Sequence, residues 1–436
     1  METKEMIYYS IMNLGIFMII GFPTSYLYFF LQDELHFTLN QDFFRYFLLS
    51  LGGIIGIIFA PIFGFLSDKT KSRYGRRRPW IMIFSPISAF LFWLISVPFF
   101  RQELQIQPGA IFMYIIVIFI IYSIVFNGMN VPYIALMPEI APEDQRIQMS
   151  SFWNVIGGLG TGAIIILPAI LLFIIDSYIF VCGILSLILV CCSLITFLKI
   201  KEPERPILKS NENNKKVSYT DILKDRQFLI YEIAQFVWNF AFIIILSSLT
   251  AFAVSVFEIK NEFEYGLMGI LLLFILGGFI YIWTIKGDVW GKKKSILFCL
   301  FYLAAVFPFT IIFSLTPSSL IFIEFPGFFK FIIEFKMNSN IIPIQIQGII
   351  WYLFLAVGLS GILILPFSLL MGIVKPDQEA TYMGINATFI SISSAVGNLF
   401  MALFTYSLGA KGAFYFIGPI LGITLFISAL IIKKLE

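Results

Sequence analysis

The residues able to do chemistry in this chain fall into two sets: polar side chains inside apolar runs, and charges gathered between those runs. In the first set, Asn127, Asn130 and Tyr133 share one apolar run, and Trp153 and Asn154 the next. Glu232, Gln235, Trp238 and Asn239 lie in a third, and Asn386, Thr388 and Ser391 in a fourth. Glu232, Gln235 and Asn239 stand at i, i+3 and i+7, which is one face of a helix. Polar groups in such surroundings are costly, and they face a cavity or a partner helix. Amides and hydroxyls beside Trp153 and Trp238 suit a polyhydroxylated ligand, which takes hydrogen bonds at its edge and an aromatic face against its C–H groups. For each residue singly, interhelical hydrogen bonding is the competing role. As a set they predict a polar, mostly uncharged cavity. Glu232 has two readings: a carrier of a coupling proton, since a carboxylate in low dielectric can exist protonated near neutral pH, or an interfacial partner of Arg226.

The second set centres on the stretch from Gly64 to Trp80. It holds Lys69, Lys71, Arg73, Arg76, Arg77 and Arg78 against the single acid Asp68. A short loop so rich in Lys and Arg stays on the cytoplasmic side. Gly64 lets another backbone come close, and Gly75 permits a turn. Asp68, Glu139, Arg146 and the arginines Arg73, Arg76 and Arg77 are expected to form a cytoplasmic gate, with ion pairs made in one state and broken in another.

Positioning these residues requires a membrane. The chain has 436 residues, 59% hydrophobic and 13% charged, against about 25% charged in a soluble domain. At about 20 residues per crossing, the apolar runs give twelve spans. These are Ile7–Leu31, Phe43–Leu66, Trp80–Phe100, Ile111–Met137, Met149–Ile174, Tyr178–Ile200, Phe228–Phe257, Tyr265–Ile285, Ser295–Leu315, Ile349–Ile373, Met383–Leu408 and Ala413–Ile432. The surplus of basic residues in alternate loops puts both termini in the cytoplasm. The stretch 317–347 is broken by charges and prolines and reads as an outer interfacial segment, in the form of a short amphipathic helix. A net charge of +3, concentrated in loops, sets orientation and does not indicate nucleic acid. Cys182, Cys191, Cys192 and Cys299 lie in apolar runs, and His36 is the one histidine. No metal site or His-based catalytic cluster is expected.

An internal repeat divides the chain. Val131, Pro132 and Tyr133, then Leu136, Met137 and Pro142, recur at one constant spacing as Leu365, Pro366 and Phe367, then Leu370, Met371 and Pro376. A fainter echo of the basic turn is Gly287, Asp288, Trp290, Gly291 and Lys292 to Lys294. The predicted fold class is all-α and integral to the membrane: twelve transmembrane helices in two six-helix pseudo-symmetric bundles. Residues 1–200 form the first bundle, 201–226 a cytoplasmic linker and 227–436 the second, with the substrate site between the halves. Gly52 with Gly56, Gly158 with Gly162, and Ser393 with Gly397 have the spacing of close helix packing, and Pro61, Pro132 and Pro366 are candidate kinks.

The opening stretch resembles the signature loop between the second and third helices of the major facilitator superfamily (MFS). Its wording, Ser67-Asp68-Lys69-Thr70 followed by Tyr74-Gly75-Arg76-Arg77-Arg78-Pro79-Trp80, is similar to that of the glycoside–pentoside–hexuronide cation symporters and the sucrose transporters related to them. Met137-Pro138-Glu139 through Arg146 resembles that family's loop after the fourth helix. The resemblance implies the MFS fold and transport of a sugar or glycoside. In the sodium-coupled members, carboxylates on the second and fourth helices form the cation site; the corresponding positions here are Gly56, Ala60 and Asn130. The acidic sugar-binding position of the first helix falls near Phe17, and the lysine of the eleventh near Ser391. That carboxylate cage is absent as aligned, so a coupling proton is expected ahead of sodium.

The expected function is a cell-membrane, multi-pass secondary transporter, monomeric, with no cofactor and no nucleic-acid partner. It moves a small organic solute by alternating access. An amphipathic lipid substrate, a facilitator without ion coupling, and a non-transporting receptor or scaffold are the alternatives. An enzyme is not expected, because no nucleophile–base pair or paired acid stands out within the spans.

Overall fold

The computed structural model describes residues 2–31, 41–97, 108–142, 145–202, 222–257, 262–310, 320–324, 341–374 and 379–435. The apolar runs fold as helices, the form that satisfies every backbone polar group of a span without water. The first six are α1 (Thr3–Ser25), α2 (Gln41–Lys69), α3 (Arg78–Ile95), α4 (Pro108–Ile140), α5 (Arg146–Ile175) and α6 (Tyr178–Lys199). Then come α7 (Arg226–Phe257), α8 (Glu262–Trp290), α9 (Lys292–Val306) and α10 (Ile346–Ile373). A final run, Glu379–Ile432, is broken at Gly409, whose φ of 71° no ordinary residue adopts easily. Its arms are α11 (Tyr382–Gly409) and α12 (Gly412–Ile432).

Among the described residues, 10 helices are long and apolar enough to cross a membrane. The two remaining predicted spans are α8, whose described apolar part is Phe274–Gly287, and α9, extended by a 3-10 turn at Phe307–Phe309. Within the segment 317–347, read from the sequence as a short amphipathic helix, residues 320–324 and 341–345 instead form an antiparallel ribbon of β1 (Leu320–Glu324) and β2 (Ile341–Gln345), with Leu320 opposite Gln345 and Glu324 opposite Ile341; residues 325–340 lie outside the described residues. Runs of isoleucine with phenylalanine favour a pleated strand over a helix, and Pro343 is tolerated because a two-stranded ribbon has only edges. The predicted linker lies mostly outside the described residues, which resume at 222.

Small residues set how the helices meet, since lipid gives no hydrophobic drive for helices to associate. Helix α1 packs on α5 and α6, α4 on α3 and α2, α7 on α11, and α10 on α8 and α9. The two most extensive crossings between the first six helices and the last six are α2 with α11 and α5 with α8. At the first, a Cβ on Gly53 would stand 2.6 Å from the Ala395 nitrogen. At the second, Gly266 faces Ala169 and Gly269 faces Ile165. Of the predicted small-residue pairs, Ser393 and Gly397 pack on α7 through Asn239 and the Phe240 carbonyl. Gly158 has nothing within 4 Å, and the close approach of α5 to α1 is made instead by Gly157 and Gly160, against Asn13 and Leu14.

Contacts between the first six and last six helices close the face opposite the basic turn. Tyr46 donates to Ser248 Oγ at 3.1 Å, and Thr250 donates to the Ser25 carbonyl at 2.8 Å. Tyr26 meets Tyr265 edge-on at 5.8 Å, and Phe43 meets Tyr406 at 5.5 Å. Toward the basic face, Trp153 of α5 stacks on Phe367 of α10 at 5.8 Å.

Candidate functional site

Beneath the closed face lies a cavity of about 450 Å³, within the range of small-molecule sites, about 300–1,000 Å³. Eight helices line it: α1, α2, α4, α5, α7, α8, α10 and α11. Its walls are largely apolar, with Phe, Ile and Leu foremost and the hydroxyls of Thr24, Ser123, Thr161, Ser247 and Tyr352 among them. No charged side chain lines it among the described residues. The glycines Gly52, Gly53 and Gly56 open room along α2, and a Cβ on Gly56 would lie 2.9 Å from Ser391 Oγ and 3.9 Å from Asn127 Oδ1.

Three of the predicted binding residues line this space: Asn127 and Asn130 on α4 and Ser391 on α11. Phe17, which the resemblance put at the sugar-binding position of the first helix, lines it too. The others are placed elsewhere. Tyr133 is buried, stacked on Tyr9 at 4.7 Å, and donates to the Tyr9 carbonyl at 3.0 Å. Trp153 bridges to Phe367, as above, and its carbonyl accepts from Asn13 at 2.9 Å. Asn154 and Thr388 bond back to their own helices, at the carbonyls of Ser150 and Gly384. Trp238 is buried edge-on to Tyr231 at 5.6 Å, and Asn239 donates to Ser393 Oγ at 2.6 Å.

Gln235 and Asn386 form a buried knot with Glu232, away from the residues that line the cavity. The Asn386 amide donates to Glu232 Oε1 at 3.0 Å and also to Gln235 Oε1. Glu232 Oε2 has no hydrogen-bond partner, and its side chain is fully buried. Arg226 makes no ion pair with it among the described residues. The interfacial Glu232–Arg226 pairing is therefore not what the fold builds; burial against α11 replaces it.

The charged turn is a compact rivet. Gly75 takes a φ of 103°, which lets the chain reverse and start α3 at Arg78. Arg77, 2% exposed, reaches Glu139 Oε1 at 2.7 Å and Asp68 Oδ1 at 2.9 Å. Arg76 reaches the same Glu139 oxygen at 2.9 Å. Glu202, beyond α6, accepts from the Arg77 backbone N–H at 3.0 Å and lies 3.7 Å from Arg76 Nε. All these partners belong to the first half of the chain, so in this state the network ties α2, α3, α4 and the end of α6 together. Arg73 is exposed, with its guanidinium 4.7 Å from the Tyr74 ring. The Arg146 side chain lies outside the described residues.

Sequence reasoning missed Glu202, whose position just past α6 carries no motif, and the α11 residues Ser394 and Asn398, which line the cavity. A usable signal existed for the latter. Ser394 and Asn398 repeat the Ser-x-x-x-Asn spacing of Ser123 and Asn127.

Comparison with known proteins agrees with this architecture. The chain is 36% identical over 110 residues to an uncharacterized symporter of Synechocystis, covering 24% of this chain and 20% of that one. It is 26% identical over 157 residues to the lactose permease of Lactobacillus helveticus, covering 33% of this chain and 24% of the permease. It is 22% identical over 293 residues to the isoprimeverose transporter of Lactiplantibacillus pentosus, covering 61% and 58%. The aligned stretches thus span between a fifth and three fifths of those relatives' lengths. A match to the family described as MFS/sugar transport protein runs over residues 8–432, and the chain belongs to that family.

Proposed function

We propose that this protein is a secondary transporter that carries a sugar or glycoside across the membrane by alternating access, working as a monomer with both termini in the cytoplasm. On this reading residues 1–200 and 227–436 are the moving halves and 201–226 the link between them. One observation carries the proposal: an uncharged cavity walled by helices of both halves and sealed on one face by contacts between those halves. Rocking the halves apart there, and together at the Trp153–Phe367 end, would present the cavity to the other side. The lactose and isoprimeverose carriers among its relatives favour the same class of solute.

Glu232 supports coupling to a proton. A charge buried without a counter-ion is expensive, and a proton on Oε2 would remove the charge from an oxygen that has no partner. Sodium is less favoured, since Gly56, Ala60 and Asn130 stand where a carboxylate cage would be. The test is uptake of labelled mono- and disaccharides into proteoliposomes, with and without an inward proton gradient. Gradient-driven accumulation supports proton symport, and flux that only equilibrates supports a facilitator. No flux of any sugar overturns the assignment and brings an amphipathic lipid forward.

A further inference from the structure

We infer that two amide oxygens, Asn127 Oδ1 on α4 and Asn398 Oδ1 on α11, are the paired hydrogen-bond acceptors that read the hydroxyls of an uncharged substrate, one from each half of the chain. The inference rests on the transport reading above and adds its chemistry of recognition.

The two asparagines are held by the same local device. Asn127 Nδ2 donates to the carbonyl of Ser123, four residues back, at 2.7 Å. Asn398 Nδ2 donates to the carbonyl of Ser394, again four residues back, at 3.0 Å. A helix carbonyl can only accept, so each amide must turn its nitrogen to its own backbone, which leaves its oxygen free of that bond. Both residues line the cavity. Asn398 is 3% exposed, and its Oδ1 is buried with no partner. Such a bare acceptor is costly unless something donates to it. Asn127 Oδ1 accepts from no protein group among the described residues, and it faces the gap left by Gly56.

Around the two acceptors the supporting groups are neutral. On α4, Asn130 follows Asn127 by three residues; on α11, Ser391 and Ser394 precede Asn398 by seven and four. These spacings put each set on one helix face, and all of these residues line the cavity. With no lysine or arginine in the described wall, a carboxylate or phosphate on the ligand would lose its water and gain no counter-charge. A neutral polyol, whose hydroxyls donate to the amide oxygens and whose C–H faces meet phenylalanine, fits; a uronic acid or sugar phosphate does not. Because the acceptors sit on opposite halves, a ligand bridging both ties the halves together, while a ligand reaching only one does not.

The test uses the full-length protein in lipid nanodiscs. Equilibrium binding is measured for a panel of neutral mono- and disaccharides headed by lactose, for singly deoxygenated analogues of whichever sugar binds, and for glucuronate. Asn398→Ala and Asn127→Ala are each expected to raise the Kd of that sugar about tenfold, the worth of one hydrogen bond lost. For each variant one deoxy analogue should exist that wild type binds about tenfold more weakly and the variant does not further discriminate. Thermal melting of both variants separates weakened binding from unfolding, and two independent variants keep the test open if one fails to fold. Kd values unchanged in both folded variants would overturn the acceptor pair. Glucuronate bound as tightly as the neutral sugar would overturn the exclusion of anions. Sugar binding with the predicted variant effects but no flux into proteoliposomes would uphold the pair and sink the transport reading. Failure to bind any sugar would sink both.

Discussion

Replacing Gly53 with valine should hold the protein open on the face opposite the basic turn. A Cβ on Gly53 stands 2.6 Å from the Ala395 nitrogen and 2.9 Å from both its Cα and its Cβ. Two of those atoms are backbone, so no change of rotamer relieves the overlap. Ordinary contact begins at 3.4 Å, so α2 and α11 must part by about 0.8 Å at this crossing. Overpacking of this kind costs about 1–3 kcal/mol, and the cost falls only on the state in which the two helices touch. The equilibrium between states should therefore move about 5- to 150-fold toward the open form. Ser248 is a suitable reporter: it is 5% exposed and takes the hydrogen bond from Tyr46 that seals this face. In a background with Cys182, Cys191, Cys192 and Cys299 replaced, Ser248→Cys should react at least about fivefold faster with a membrane-impermeant maleimide when Gly53→Val is present. Net uptake should fall. Gly158→Ala, where nothing lies within 4 Å, should change neither. Parental labelling and intact uptake in Gly53→Val would refute the idea that this crossing closes the cavity.

Three further outcomes follow from the other sites. Glu232→Gln keeps the shape of the knot with Asn386 and Gln235 but cannot take up a proton; gradient-driven accumulation should be lost while equilibrium exchange of sugar persists, and accumulation at the wild-type level would make Glu232 structural. Gly75→Ala should lower stability by about 1–2 kcal/mol, because φ is 103° and the added Cβ would meet the Glu202 carboxylate; a melting temperature unchanged in detergent would contradict it. Trp153→Ala removes the stack on Phe367 and, on the alternating-access reading, should disfavour closure at the basic face, slowing return of the empty carrier more than exchange; equal effects on both rates would place Trp153 outside the gate.

Much of the fold was legible in the sequence, because a hydrocarbon core demands long apolar helices and leaves few alternatives. Each of the twelve predicted runs carries a helix, interrupted at Tyr26 in the first and ending at Ile95 in the third and Lys199 in the sixth. The ribbon at 320–324 and 341–345 was not foreseen, because charges and prolines disqualify a span without choosing between a surface helix and a ribbon. The site was only partly legible. Polar residues in apolar runs were found correctly as exceptions, yet a sequence does not say which side of a helix meets a cavity and which meets another helix. Asn127 and Asn239 look alike in sequence; one faces the cavity and the other is satisfied by Ser393. The GxxxG spacing was similarly ambiguous, since Gly158 is open while its neighbours Gly157 and Gly160 carry the contact.

The repeat also survives in the backbone, and there it separates two ways of building one joint. Gly75 and Gly291 each take positive φ, 103° and 84°, immediately before the third helix of a half. In both halves a cation from that turn reaches the end of the fourth helix. In the first half the contact is ionic and buried: Arg77 at 2% exposure meets Glu139 at 5%. In the second it is a single bond, from Lys292 Nζ to the Ser368 carbonyl at 3.2 Å, with the lysine partly exposed. Removing Arg77 leaves the buried Glu139 carboxylate only the more exposed Arg76 as a partner, a loss bounded above by the about 3–5 kcal/mol of a buried charge left wholly unpaired, whereas losing a half-exposed hydrogen bond costs about 0.5–1.5 kcal/mol. Arg77→Ala should therefore destabilise the protein more than Lys292→Ala. Replacing Arg77 and Glu139 together by methionine should recover much of the loss, because no buried charge then stands alone on that side. Thermal unfolding of the four proteins in one detergent measures this. If Arg77→Ala costs no more than Lys292→Ala, the Arg77–Glu139 contact is not the rivet of the first half, and a role confined to the other transport state becomes the better account of these charges.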